Sequence, residues 1–288
     1  VFAPGFFASG PVHTALVLGG VVAVVCGAVG VFAVIRGQAF AGEALADIGA
    51  AGGSASYLAG VAPVWGFLVA ALGAASAMEL LGVQRTRGRD LATGIVLGAS
   101  LGLAALFLYL DSTQQSTTGT TVTVLFGSLF TLQPSLIPAV CALSLIAIGL
   151  ILALQRPLLL SSLNPELARI RGVPVRAVAL VYLLALALAV ALAALTIGAI
   201  LGTSLLVGPG AAARMLKRRP GPALLLAAGI GLVAIWLGIV LAYDSYLWPP
   251  RGHRWPVSFF VVADVLGIYL LTGIPWTRRR RAPRPRPG

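Results

Sequence analysis

Long apolar stretches separated by short polar clusters dominate the pattern of this chain. A bilayer crossing needs about 20 predominantly apolar residues. Stretches of that kind occupy 12–35, 40–60, 63–82, 91–110, 134–155, 177–195, 196–212, 221–243 and 256–274. Runs such as Leu180–Leu195 do not alternate apolar with polar residues, as the strands of a membrane barrel do over about ten residues. The pattern therefore predicts helices, whose backbone groups are all paired within the segment. An unpaired amide in hydrocarbon costs several kcal/mol. The third, sixth and eighth stretches are the clearest. Those at 40–60 and 196–212 are short, glycine-rich and interrupted, which suits broken or re-entrant helices buried among the others. The expectation is an all-α, polytopic integral membrane bundle with eight or nine crossings.

Composition sharpens this picture. Hydrophobic residues make up 59% and charged residues 10%, with a mean hydropathy of +0.99, whereas a water-soluble domain carries about 25% charge. A soluble globular protein is excluded. The 35 glycines are spread through the spans with alanine and serine, as in Gly49–Gly60, and small residues let membrane helices approach closely. Their number argues for a large multi-helix bundle.

The net charge of +12 does not point to nucleic acid, because the charges sit between apolar spans. Short cytoplasmic loops collect arginine and lysine. Arg36, the cluster Arg85, Arg87 and Arg89, the stretch Arg156 to Arg176, the cluster Arg214 to Arg219 and the run Arg278–Arg281 are therefore expected on the cytoplasmic side. Residues 278–288 read as a basic cytoplasmic tail after a membrane domain spanning 1–277, compatible with anionic-lipid contact. The loops Asp111–Thr120 and Tyr243–Pro256 are expected outside, the latter carrying Trp248 and Trp255 for an interfacial belt. Nine crossings place the N-terminus outside and the C-terminus inside, provided that 121–132 is re-entrant or continues the following helix. Eight reverse the N-terminus.

Ionisable residues inside a membrane are costly, so each is a functional candidate. Glu43 and Asp47 lie four residues apart in Ala39–Gly49, which on a helix puts two carboxylates on one face. Such oxygen ligands suit hard and borderline divalent cations. Equally, two acids near the start of a helix satisfy its dipole. Asp264 falls near the middle of 256–274 and needs a polar partner or a water-filled cavity. Glu79 and Asp90 flank the arginine cluster and read as interfacial ion pairs. His13 and His253 lack the neighbours that make a metal-ligand signature. Cys26 and Cys141 fall in apolar runs and read as small core residues, not as a disulfide. Met78 and Met215 read as packing.

Ser161–Ala177, a polar island between spans, is the most informative segment. Asn164 suits a helix N-cap, Pro165 the first helical position and Glu166 the first turn, where the dipole favours an acid. Gly172 suits the C-terminal end before Pro174. A short, well-capped helix is predicted in a cytoplasmic loop. A mere connector needs neither caps nor length, so a docking element for a cytoplasmic partner is the sharper reading.

At this point the sequence resembles the permease subunits of ATP-binding cassette importers, in particular the family that carries zinc and manganese. Glu166, Ala168 and Gly172 fall at the first, third and seventh positions of the importer loop pattern that starts Glu-Ala-Ala and ends with Gly, while Leu167 departs at the second. Val29–Asp47, Arg89–Leu108, Thr123–Leu132 and Thr196–Leu216 resemble further segments of that family, in the same order across nearly the whole chain. Many members carry a histidine where this chain has Glu43, a departure that makes a harder ion such as manganese more plausible than zinc.

The resemblance implies a type II importer-like permease, homodimeric or paired, with a central pathway between the copies. It also implies a cytoplasmic ATPase seated on the loop helix at Asn164, Pro165, Glu166, Ala168 and Gly172, and an extracytoplasmic metal-binding protein outside. Manganese or zinc would pass as cargo, with no cofactor resident in this chain, in the plasma membrane of a prokaryote. No G-x-x-x-x-G-K-[ST] loop occurs, so ATP hydrolysis is expected in another polypeptide.

Three rivals remain. An ion-coupled secondary transporter would use Glu43, Asp47 and Asp264 as a relay, and the capped loop helix counts against it. An intramembrane aspartyl protease is poorly matched, since Asp244 and Asp264 are separated by some half a bilayer of helical rise. A permease for an iron chelate or corrinoid stays within the same class.

Overall fold

The computed structural model describes residues 9–80, 89–114, 127, 129–130, 132, 134–217, 219–245, 248 and 255–273. Among these, every regular element is a helix. They run α1 Gly10–Arg36, α2 Ala39–Leu58, α3 Pro63–Leu80, α4 Arg89–Gln114, α5 Ile137–Leu163, α6 Pro165–Ile170, α7 Val175–Ile197, α8 Ala199–Leu216, α9 Pro220–Asp244 and α10 Val257–Gly273, with a single 3-10 turn at Pro134–Leu136 before α5. Each apolar stretch of the sequence thus became one helix, the two glycine-rich ones included. By length and composition six of the described helical segments can cross a bilayer: α1, α3, residues 93–110 of α4, α5 with its 3-10 turn, α7 and α9. The chain is a multi-pass membrane protein.

Helix boundaries follow local chemistry. α1 carries Pro11 in its first turn, where the missing N–H costs nothing. It ends at Gly37, whose φ of 62° is the left-handed region that favours glycine. The N–H of Gln38 reaches the carbonyl of Ala33 at 2.9 Å and that of Gly37 reaches Val34 at 3.2 Å, a Schellman closure that satisfies carbonyls at the helix end. The chain then turns directly into α2.

α1 and α7 are the buried centre of the bundle, with α8, α9 and α5 packed on α1 and with α3 and α5 on α7. Close backbone approach decides the packing. A Cβ at Gly30 would strike the carbonyl of Leu206 on α8, and one at Gly27 would strike Ala227 on α9. Gly210 faces the backbone of Gly30, and Gly231 faces Ala23. Between α2 and α3, Gly52 and Gly66 oppose one another in the same way. Glycine packs these helices where no hydrophobic effect drives association. Cys26 is fully buried and its Sγ donates to the Ala189 carbonyl at 3.5 Å. Both cysteines are free, and Cys141, expected in the core, is only partly buried.

α4 and α5 are covered far less. α4 packs mainly on α2 and buries one stripe, Thr93, Ser100, Ala104 and Leu108. Its other faces, including Leu101, Leu106 and Tyr109, are exposed.

Candidate functional site

α2 carries the two clustered acids. Gly42, Gly49 and Gly53 face α8, α7 and α3, with Leu206, Leu186, Val190 and Phe67 as neighbours. Glu43 and Asp47 lie on a different side of the same helix, one turn apart. Asp47 is only 5% exposed and Glu43 is half-buried, and their carboxylates repel one another. α4 packs on α2, and Thr93 and Ser100 are the polar members of its buried stripe. Sequence reading had not singled them out, because a threonine and a serine in an apolar run carry no periodic signal of their own. Among the described residues no three His, Cys, Asp or Glu side chains converge as a metal cage.

Asp264 is not brought to this pair. It sits half-buried on α10, and α8 packs on both α2 and α10 and so stands between them. Among the described residues the buried Oδ2 of Asp264 has no hydrogen-bond partner.

The loop helix forms as its caps dictate. Asn164 Oδ1 accepts the N–H of Leu167 at 3.0 Å, Pro165 opens α6 and Glu166 occupies the first turn. Ala168 is the buried residue on its underside. At the far end Gly172 takes φ +75°. Its N–H reaches Arg169 O at 2.9 Å and that of Val173 reaches Ala168 O at 2.9 Å, a second Schellman closure. No atom lies within 4 Å of where a Cβ would stand at Gly172, so glycine is required there for its backbone alone. Leu167 and Ile170 are exposed, Ile170 at 82%. A six-residue helix thus stands out from the bundle with apolar side chains on its free face.

The surrounding end of the bundle is polar. A cavity of about 400 Å³ lies between α6 and the α1–α2 turn, lined among others by Arg36, Gln38, Glu79, Ser161, Ser162 and Arg169. Glu79 is 8% exposed and lines this cavity; the side chains of the arginines beside which the sequence places it lie outside the described residues. The Asp90 side chain, Arg85, Arg87, His253 and the tail lie outside the described residues. Arg36 and Arg169 line the same cavity. Near the start of α10, Trp248 and Trp255 pack on Phe260 and Phe259 with ring centroids 5.8 and 5.6 Å apart, and both are partly exposed. Met78 is core, whereas Met215 is exposed and accepts the Thr272 hydroxyl at 3.9 Å.

Comparison with known proteins places these features in context. The sequence profile of the ABC 3 transport family matches residues 11–250. A manganese transport system membrane protein of Halalkalibacterium halodurans is 28% identical over 77% of this chain and 76% of its own length. A high-affinity zinc uptake system membrane protein of Haemophilus influenzae is 28% identical over 82% of this chain and 90% of its own. Among solved structures, PsaBC from Streptococcus pneumoniae in complex with Fab superposes with a TM-score of 0.80 at 22% identity, covering 96% of this chain and 95% of that one. That likeness is one of fold.

Proposed function

The chain belongs to the ABC 3 transport family, and on that premise we propose that it is the membrane-spanning permease of an ATP-binding cassette importer for a divalent metal ion. The observation that carries this reading is α6, a helix of six residues capped at both ends and presenting Leu167 and Ile170 outward at the arginine-rich end of the bundle. Such an element is built to be gripped. The proposed partner is a separate ATPase, which supplies the hydrolysis this chain does not perform. An extracytoplasmic metal-binding protein would deliver the ion from the opposite side, and two permease copies would enclose the path in the plasma membrane of a prokaryote. Eight or nine of the described helices would cross the bilayer, with the N-terminus outside if nine and inside if eight, residues 1–277 as the membrane domain and 278–288 as a basic tail.

In this reading Glu43 and Asp47 border the ion path, and Asp264 is a separate acidic position of it beyond α8. The cargo is manganese or zinc, the metals named for the relatives. A carboxylate at position 43 suits the harder manganese. A path must bind weakly enough to release, which two acids without further ligands satisfy.

Co-purification tests the assignment. The full chain should retain an ATP-binding cassette ATPase expressed with it, and replacing residues 165–170 with a glycine-serine linker of equal length should release that ATPase while the chain remains inserted. Retention of the ATPase by the linker variant would remove α6 from the interface. Uptake driven by an ion gradient in the absence of any ATPase would favour a secondary transporter.

A further inference from the structure

Arg36 makes four contacts, which reach α5, α7 and the residue that precedes α2. Its Nε donates to Gln38 Oε1 at 3.1 Å, and its Nη1 donates to Ser162 Oγ at 3.1 Å and Ser161 Oγ at 3.4 Å. The guanidinium also lies over the ring of Tyr182, 5.1 Å from its centroid. Tyr182 on α7 is fully buried and Gln38 is 5% exposed. The fork is thereby held flat, a geometry open to arginine and not to lysine. An arginine needed only to mark the cytoplasmic side would extend into water.

The places it joins matter. Ser161 and Ser162 lie in the last turn of α5, three and two residues before Asn164, the cap of α6, which ties them to the loop helix. Gln38 immediately precedes α2, which bears Glu43 one turn later. α6 packs substantially only on its sequence neighbours α5 and α7, and α5 has no substantial contact with α2. α7 does reach α2, but deep in the bundle, where Leu186 and Val190 meet Gly42. The other anchor of Arg36 is α1, fixed against α8 and α9 by backbone contacts at Gly27 and Gly30. The cavity beside Arg36 is bordered by α6 at Pro165 and Arg169.

Resting on the proposed role of α6, we infer that Arg36 is a positioning residue, the joint that passes displacement of the loop helix to α2 through Ser161, Ser162 and Gln38.

The test uses the complete permease with its ATPase in proteoliposomes, measuring manganese imported per ATP hydrolysed. Arg36→Gln removes the reach to both serines. Ser161→Ala with Ser162→Ala removes the acceptors while leaving Arg36, its stacking and Gln38 intact. Each should lower the ratio roughly tenfold, the scale of one charge-assisted hydrogen bond, with hydrolysis retained. The triple variant should be no worse than Arg36→Gln alone, since all three remove one connection. Arg36→Lys should recover only part of the ratio. If Arg36→Gln is poorly inserted, the serine pair decides by itself. A wild-type ratio in the serine pair, or uptake and hydrolysis falling in proportion, overturns the joint. Gly172→Val serves as reference. If it uncouples while the Arg36 and serine variants do not, the joint is wrong and the role of α6 stands. If Gly172→Val also keeps the wild-type ratio, the role of α6 fails and the joint with it.

Discussion

Neutralising both acids of α2, as Glu43→Gln with Asp47→Asn, removes charge while keeping volume and hydrogen-bonding capacity. Two explanations of the pair make different predictions. If the acids only satisfy the start of α2, each contributes about 0.3–1 kcal/mol of stability and nothing to transport. That benefit fades beyond the first turn, and Asp47 lies about 12 Å along the helix from Ala39 at 1.5 Å per residue. Its burial at 5% exposure therefore has no local electrostatic return. If the pair borders an ion path, a doubly charged cation about 4 Å from one carboxylate gains about 8 kcal/mol at an effective dielectric constant of 20. Desolvation offsets most of this. Should about a third survive, the variant loses about 2.7 kcal/mol, or about a hundredfold in uptake. Relief of the repulsion between the two carboxylates should leave thermal stability unchanged or raised. Radiotracer manganese and zinc uptake, normalised to inserted protein, measures the effect. Unchanged uptake of both metals together with a lower thermal midpoint would refute the pathway and support the helix-terminus explanation.

Further outcomes follow from backbone geometry and topology. Gly172→Val forces a β-branched residue into the left-handed region at a cost of about 1–2 kcal/mol, so transport per ATP should drop while membrane insertion, read by detergent-resistant yield, is preserved. Gly30→Ala drives a methyl group into the Leu206 carbonyl and should destabilise by about 1–3 kcal/mol in a thermal scan. Gly229→Ala, with open space around it, should be neutral or stabilise by up to about 1 kcal/mol through helix propensity. In a background of Cys26→Ala and Cys141→Ala, an impermeant maleimide should label Leu163→Cys from the cytoplasm and Ser116→Cys from outside. Labelling of both from one side contradicts the proposed topology.

Much of the fold was legible because membrane helices write themselves as apolar length. Even the weak stretches around α2 and α8 emerged as helices, their glycines explained by the contacts of Gly52 with Gly66 and of Gly210 with Gly30. The caps of α6 were readable because Asn164, Pro165, Glu166 and Gly172 each act on their own local backbone. Long-range partnership was not readable. Nothing in the sequence distinguishes Gly30, pressed against another backbone, from Gly229, which faces open space. Arg36 looked like any cytoplasmic-side arginine, since its acceptors Ser161 and Ser162 lie 125 and 126 residues away. That Glu79 shares a cavity with Arg36 and Arg169 is equally a matter of packing. The separation of Asp264 from the α2 pair likewise depends on α8 standing between them, a fact of packing and not of spacing.

The proposed metal-importing permease depends on a separate ATPase for its energy. Proteoliposomes containing the chain with its ATPase, supplied with metal-loaded binding protein on the outer face, test it by radiolabelled manganese accumulation with and without ATP on the cytoplasmic face. Accumulation should require ATP, be abolished by a catalytically dead ATPase, and be unaffected by collapsing proton and sodium gradients. Accumulation that persists without ATP and disappears with the gradient would contradict the proposal.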